Sequence, residues 1–163
     1  MLFCYNQHVN SMKSKLFSNL FRTGIVFMTL VMSMGAMSAQ VYKKIERKEL
    51  LKILSSQGYT ATEAESERNV IWTLNGYKTL LLVAENMESI QFYVAFSDSK
   101  STLSRVNTWN KEKKYSRSYL DNDGDPVLEL DLDLAGGVTR ERIVDFLLTC
   151  RVSLSAWKTS VVD

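Results

Sequence analysis

The chain has 163 residues, with 20 Lys and Arg against 18 Asp and Glu, two Cys and one His. Cys4, His8 and three basic residues (Lys13, Lys15, Arg22) fall in residues 1–39, which hold no acidic residue, so residues 40–163 carry 17 basic and 18 acidic side chains, one Cys and no His. Those 124 residues exclude a Ser-His-Asp or Cys-His site, a His-based metal site and an internal disulfide, and their slight acidity argues against nucleic acid as a partner.

Residues 1–39 have the order of a secretory signal peptide. The basic residues precede an apolar run, Gly24 to Met32, and small residues follow at Ser33, Gly35, Ala36, Ser38 and Ala39. Met12, just before Lys13, is a candidate true start. The run is shorter than the roughly 20 apolar residues a spanning helix needs. Cleavage after Ser38 places Ala36 three residues before the cut; cleavage after Ala39 places Met37 there, a poorer fit. The expectation is a periplasmic or secreted protein, without a membrane association once the signal is cut, whose residues 40–163 form a single domain. With one Cys, that domain depends on a full apolar core, which a chain of about 120 residues can supply.

Residues 43–57 read as a helix, with Ile45, Leu50, Ile53 and Leu54 at helical spacing and Gly58 placed to end it. Thr60 to Glu67 is acidic and short of large apolar residues, a loop or an edge strand. Residues 69–74 and Tyr77 to Ala84 read as strands joined by Asn75-Gly76, a strong hairpin signal because both central positions take positive φ. Ser89 to Phe96 is the third strand, with Ile90, Phe92, Val94 and Phe96 on one face and Gln91 and Tyr93 on the other. Residues 100–114 read as a helix with Leu103, Val106 and Trp109 inward. Residues 115–121 and 126–134 form a second hairpin, whose second arm alternates Leu128, Leu130, Leu132 and Leu134 with Glu129, Asp131 and Asp133, an acidic wet face suited to an exposed strand. Thr139 is a good cap for a last helix in which Ile143, Leu147, Cys150, Leu154 and Trp157 step by four and three residues. The order α-β-β-β-α-β-β-α gives an α+β fold with a five-stranded antiparallel sheet and flanking helices.

Two clusters are candidate binding surfaces. Asp121, Asp123 and Asp125 alternate beside Gly124 as carboxylates do in calcium loops, but the sixth and twelfth positions hold Pro126 and Leu132 where an EF-hand needs Gly and Glu. A tight turn explains them better. Asn107, Trp109 and Asn110 lie in the helix read over 100–114 and are followed by Lys111, Lys113, Lys114 and Arg117. The amides, poor helix formers, either fasten the helix to a neighbouring strand or form a polar recognition spot; the cations read as a solvated face paired with the acidic hairpin. Cys150 lies on the apolar stripe and reads as a core residue. No cofactor or metal site is expected.

Taken in order, Ser89-Ile90-Gln91-Phe92-Tyr93, Asn107 with Trp109-Asn110, Tyr119-Leu120-Asp121 running into Gly124-Asp125-Pro126-Val127-Leu128-Glu129, and Gly136-Gly137-Val138 resemble the YbjN-domain family, over roughly residues 44–157. The resemblance implies a type III secretion chaperone-like fold and a bacterial sensory transduction regulator, non-enzymatic and with no catalytic residues to transfer. The function expected is binding of a protein or peptide partner; a small-molecule or ion-binding domain of the cell envelope, using the Asn107/Asn110 helix or the Asp121–Asp125 loop, is the alternative. The oligomeric state is left open by the sequence, a homodimer included.

Overall fold

The computed structural model of the protein describes residues 40–163. The expected signal peptide, 1–39, lies outside the described residues. Val41–Tyr42 (β1) pairs with Val138–Thr139 (β8) in a two-stranded ribbon. The remaining strands are Thr60–Glu63 (β2), Val70–Leu74 (β3), Tyr77–Val83 (β4), Ser89–Ala95 (β5), Arg117–Leu120 (β6) and Pro126–Asp133 (β7). They form one six-stranded sheet in the order β2-β3-β4-β5-β7-β6, every neighbouring pair antiparallel. The helices are Arg47–Ser56 (α1), Leu103–Glu112 (α2) and Arg140–Trp157 (α3), the last running into a π-helical turn, Lys158–Val162.

The main sheet therefore has six strands where five were expected. The extra strand is β2, whose Thr-Ala-Thr-Glu carries no apolar alternation; its pairing of Thr60 with Thr73 through Glu63 with Val70 is set by backbone bonds to β3. A polar edge strand of this kind leaves almost no sequence signal, because only one side of its backbone is paired. The first helix also starts later than expected. Residues 41–42 are held in the ribbon, and Ile45 N donates to Met87 O at 3.0 Å, so the chain turns helical only at Arg47. Likewise α2 begins at Leu103, after Thr102 accepts from Arg105 N. At the β3–β4 turn Asn75 and Gly76 have φ of 52° and 83°, the mirror-image turn that matches strand twist.

One face of the sheet builds the core. Val70, Trp72, Leu81, Ile90, Phe92, Leu128, Leu130 and Leu132 join the inward side chains of all three helices in a single cluster. The stripe Ile143, Leu147, Cys150, Leu154 and Trp157 is buried throughout, so α3 lies with its apolar edge on the sheet. Burial pushes the Cys150 thiol well above its ordinary range, consistent with a packing role. The opposite face contributes nothing to that cluster.

Candidate functional site

The acidic alternation of β7 does not mark an exposed strand, as its sequence suggested. This strand is interior, flanked by β5 and β6, and Glu129 is buried at 5% exposure. Its carboxylate is ion-paired with Arg117 Nε and accepts from the Tyr119 hydroxyl at 3.0 Å. Asp131 and Asp133 remain exposed. Asp131 Oδ1 accepts from Gln91 at 2.9 Å across the ladder.

Asn110 is a strand clamp. Its side-chain amide donates to Ser118 O at 2.8 Å and accepts from Ser118 N at 2.9 Å, taking the place of a neighbouring strand along the outer edge of β6. Ser118 Oγ in turn donates to Val127 O and accepts from Trp157 Nε1 at 2.9 Å. Trp109 is buried and donates from Nε1 to Ser116 Oγ at 3.1 Å. Asn107 is exposed. Of the cations that follow, only Arg117 pairs with the hairpin; Lys111, Lys113 and Lys114 are exposed and make no ion pair among the described residues.

Asp121 also has a structural task. Its Oδ1 accepts from Asp123 N at 3.0 Å and Asp125 N at 2.9 Å, closing the turn, while Gly124 takes a φ of 84°. Among the described residues no group of three or more His, Cys, Asp or Glu side chains is close enough to hold a metal ion. The two candidate clusters do not converge. One borders the start and middle of β6; the other lies beyond its end.

What the strands bring together instead is the sheet face away from the helices. Cross-strand register aligns Thr62, Ile71, Leu80, Tyr93, Glu129 and Arg117 in one row. Leu82, Gln91 and Asp131 form the next row, and Lys78, Ala95, Val127 and Tyr119 lie on the other side. Ile71, Leu80, Leu82 and Tyr93 are half-buried, and Tyr119 is 38% exposed. Partial burial and then the Glu129 hydrogen bond push the Tyr119 hydroxyl up to about 12; burial, with the Asp121 and Glu129 charges, also raises Tyr93. The result is an apolar and aromatic surface around one engaged carboxylate. A sequence signal did exist, since Ile71, Leu80 and Leu82 are apolar at positions that alternate with core residues. A strand covered on one side only would carry polar residues there.

The model of the YbjN family, described as "Putative bacterial sensory transduction regulator", matches residues 46–158. The chain belongs to the YbjN family. Among solved structures, the crystal structure of YbjN from E. coli, "a putative transcription regulator", aligns at a TM-score of 0.54 and 15% identity. The match covers 76% of this chain and 99% of that one, and at this identity it speaks for the fold alone. Among curated proteins none matches the chain. The YbjN family carries a regulator's description, and this chain has an α+β framework of antiparallel strands and three helices.

Proposed function

We propose that this YbjN-family protein is an exported, non-enzymatic regulator or chaperone-like module that acts by binding a protein or peptide partner. The observation that carries the reading is the outer sheet face. Half-buried Ile71, Leu80, Leu82 and Tyr93 stand together outside the core cluster, and no described helix contributes to that cluster from their side. Apolar groups left partly accessible together on one face are a common feature of binding surfaces, and tyrosine is enriched at them. The basic, apolar and small-residue order of residues 1–39 supports export, and the family's description supports regulation.

The test has two arms. Residues 1–45 fused to a reporter active only outside the cytoplasm should give signal; a silent reporter overturns export. The protein immobilised as bait should recover a defined polypeptide from the matching cell fraction, and Leu80→Lys and Tyr93→Ser variants that retain their melting transitions should lose it. Equal recovery by the variants would remove the outer face from the reading.

A further inference from the structure

Strand β2 leaves a row of backbone groups open at the edge of the main sheet. Antiparallel pairing bonds alternate residues of a strand to each neighbour. Leu74 and Tyr77 face each other across the two-residue β3–β4 turn, so Val70, Trp72 and Leu74 bond to β4, and Ile71 and Thr73 turn their backbone groups to β2. Their partners there are Thr62 and Thr60. Ala64 N donates to Asn69 O at 3.1 Å in the same phase. The N–H and C=O of Ala61 and Glu63 therefore point away from β3, at the outer edge. Among the described residues no side chain bonds them; Arg47 reaches past, to Ser66 O at 3.0 Å and to the Glu63 carboxylate at 2.9 Å.

Helix α1 covers that edge from the core side. Its buried residues are Leu50, Ile53 and Leu54, and of the strands of the main sheet it lies closest to β2. A helix is about 10 Å across and strands are about 4.8 Å apart, so a helix seated over the last strand projects about one strand's width beyond it. Along this side of α1 runs an open groove of about 540 Å³, lined by Lys48, Leu51, Lys52, Ser55, Ser56 and Glu63. Leu51 is half-buried there. The Glu63 charge is met by Arg47, Lys52 shares Glu49 at 3.5 Å, and Lys48 has no carboxylate within ion-pair distance among the described residues. The lining thus holds two lysines against one carboxylate that is already paired.

We propose that the open edge of β2, overhung by α1, takes an extended peptide of a partner protein as an antiparallel seventh strand. Its backbone would bond to Ala61 and Glu63, and its alternate side chains would turn under α1, an apolar one against Leu51 and an acidic one toward Lys48 and Lys52. The backbone groups name the occupant, because an extended chain matches donors and acceptors at alternate residues. Every pair in this sheet is antiparallel, and the excess of lysine selects a carboxylate among the inward side chains. A second copy does not fit. Antiparallel β2–β2 pairing would set both α1 helices on one side of the joined sheet, over strands about 4.8 Å apart, whereas packed helices keep about 8–10 Å between axes. The edge is a different surface from the outer sheet face, so this inference goes beyond the reading above.

The experiment is fluorescence anisotropy of the purified protein with the fluorescein-labelled peptide Thr-Val-Thr-Asp-Thr-Val, which should bind saturably. With Val and Asp turned under α1, their amides face β2. N-methylation of those amides should abolish binding, and N-methylation of the Thr amides should leave it within about twofold. Ala61→Pro removes an outward N–H, which an edge strand tolerates, so it should lose the peptide with a nearly unchanged melting temperature. Thr62→Pro removes a ladder bond and should lower the melting temperature. Lys48→Glu/Lys52→Glu should weaken binding about fivefold or more and prefer the peptide with Lys in place of Asp. Absence of saturable binding overturns the proposal, as does an equal response to the two methylation patterns or unaltered binding by Ala61→Pro. A concentration-dependent dimer in sedimentation, lost in Ala61→Pro, would replace the peptide by a second copy and overturn the assignment. Leu80→Lys and Tyr93→Ser should bind the peptide as the unaltered protein does; loss in those variants would move the site to the outer face and overturn the edge. If the peptide binds while the outer-face capture fails, the edge assignment stands and the outer-face reading falls.

Discussion

Two buried tryptophans show how single polar atoms decide the cost of a substitution. Trp157 Nε1 donates to Ser118 Oγ, whereas Trp72 Nε1 is buried without a hydrogen-bond partner among the described residues, its ring held edge-on by Tyr59 and Phe92. An unpaired buried donor costs about 1–3 kcal/mol. Phenylalanine removes that donor at Trp72 but breaks a bond at Trp157. Trp72→Phe is therefore expected to destabilise less than Trp157→Phe in urea unfolding, with a gap of about 1–2 kcal/mol; an equal or reversed ranking would show that ring volume alone governs both sites. Trp157→Ala, which empties a fully buried position, should cost about 3–5 kcal/mol. Tyr119 gives a pH signature. Its hydroxyl is raised from 10 to about 12, so the stability it contributes is fully present below pH 10 and is lost as pH climbs toward 12. Partial solvent access keeps that contribution small. A tyrosinate absorbance titration should show a late phase that Tyr119→Phe diminishes.

At the scale of elements, the β6–β7 turn and the α2–β6 clamp replace backbone pairing with side chains. Asp121 Oδ1 holds two amides, and either an aspartate or an asparagine oxygen can do so. Asp121→Asn should leave the melting temperature nearly unchanged, Asp121→Ala should cost about 1 kcal/mol, and Gly124→Val about 1–2 kcal/mol through its positive φ, since nothing among the described residues lies within 4 Å of an added Cβ. A saturable calcium-dependent rise in melting temperature, lost in Asp121→Asn, would contradict this assignment and make the turn a metal loop. The Asn110 clamp also closes the β6 edge against strand addition; among the described residues no side chain clamps the outer edge of β2, at the other end of the sheet, in the same way.

For the whole molecule, the C-terminal turn ties separate elements together. Val161 and Val162 are buried, and Val161 O accepts from Ser101 Oγ and Arg105 Nη1, joining the start of α2 to the end of α3. Lys158 lies over the Tyr77 and Phe96 rings and pairs with Asp163. Deleting Val161–Asp163 is expected to cost about 3 kcal/mol or more, from two valines and their orphaned donors. Asp163→Ala should cost little, because an exposed ion pair contributes about 0–1 kcal/mol. Urea midpoints for both variants check the difference. An intact midpoint after truncation would mean the tail merely rests on the core.

Local patterning was enough to place α1, α3, the β3–β4 hairpin and the β6–β7 hairpin, because period and turn chemistry are written in consecutive residues: Asn75-Gly76, the Thr139 cap, the Ile143 to Trp157 stripe. The order of the family's motifs was legible for the same reason. Three features depended on residues far apart in the chain. Strand β2 exists through its ladder with β3, not through its own composition. Glu129 reads as a wet-face residue in its own strand and is buried because Arg117 and Tyr119 from the next strand meet it. The outer face forms only when register sets Ile71, Leu80 and Tyr93 side by side across three strands. Sequence alone specifies which side chains alternate; pairing decides which of them become neighbours, and a surface for binding is made of neighbours.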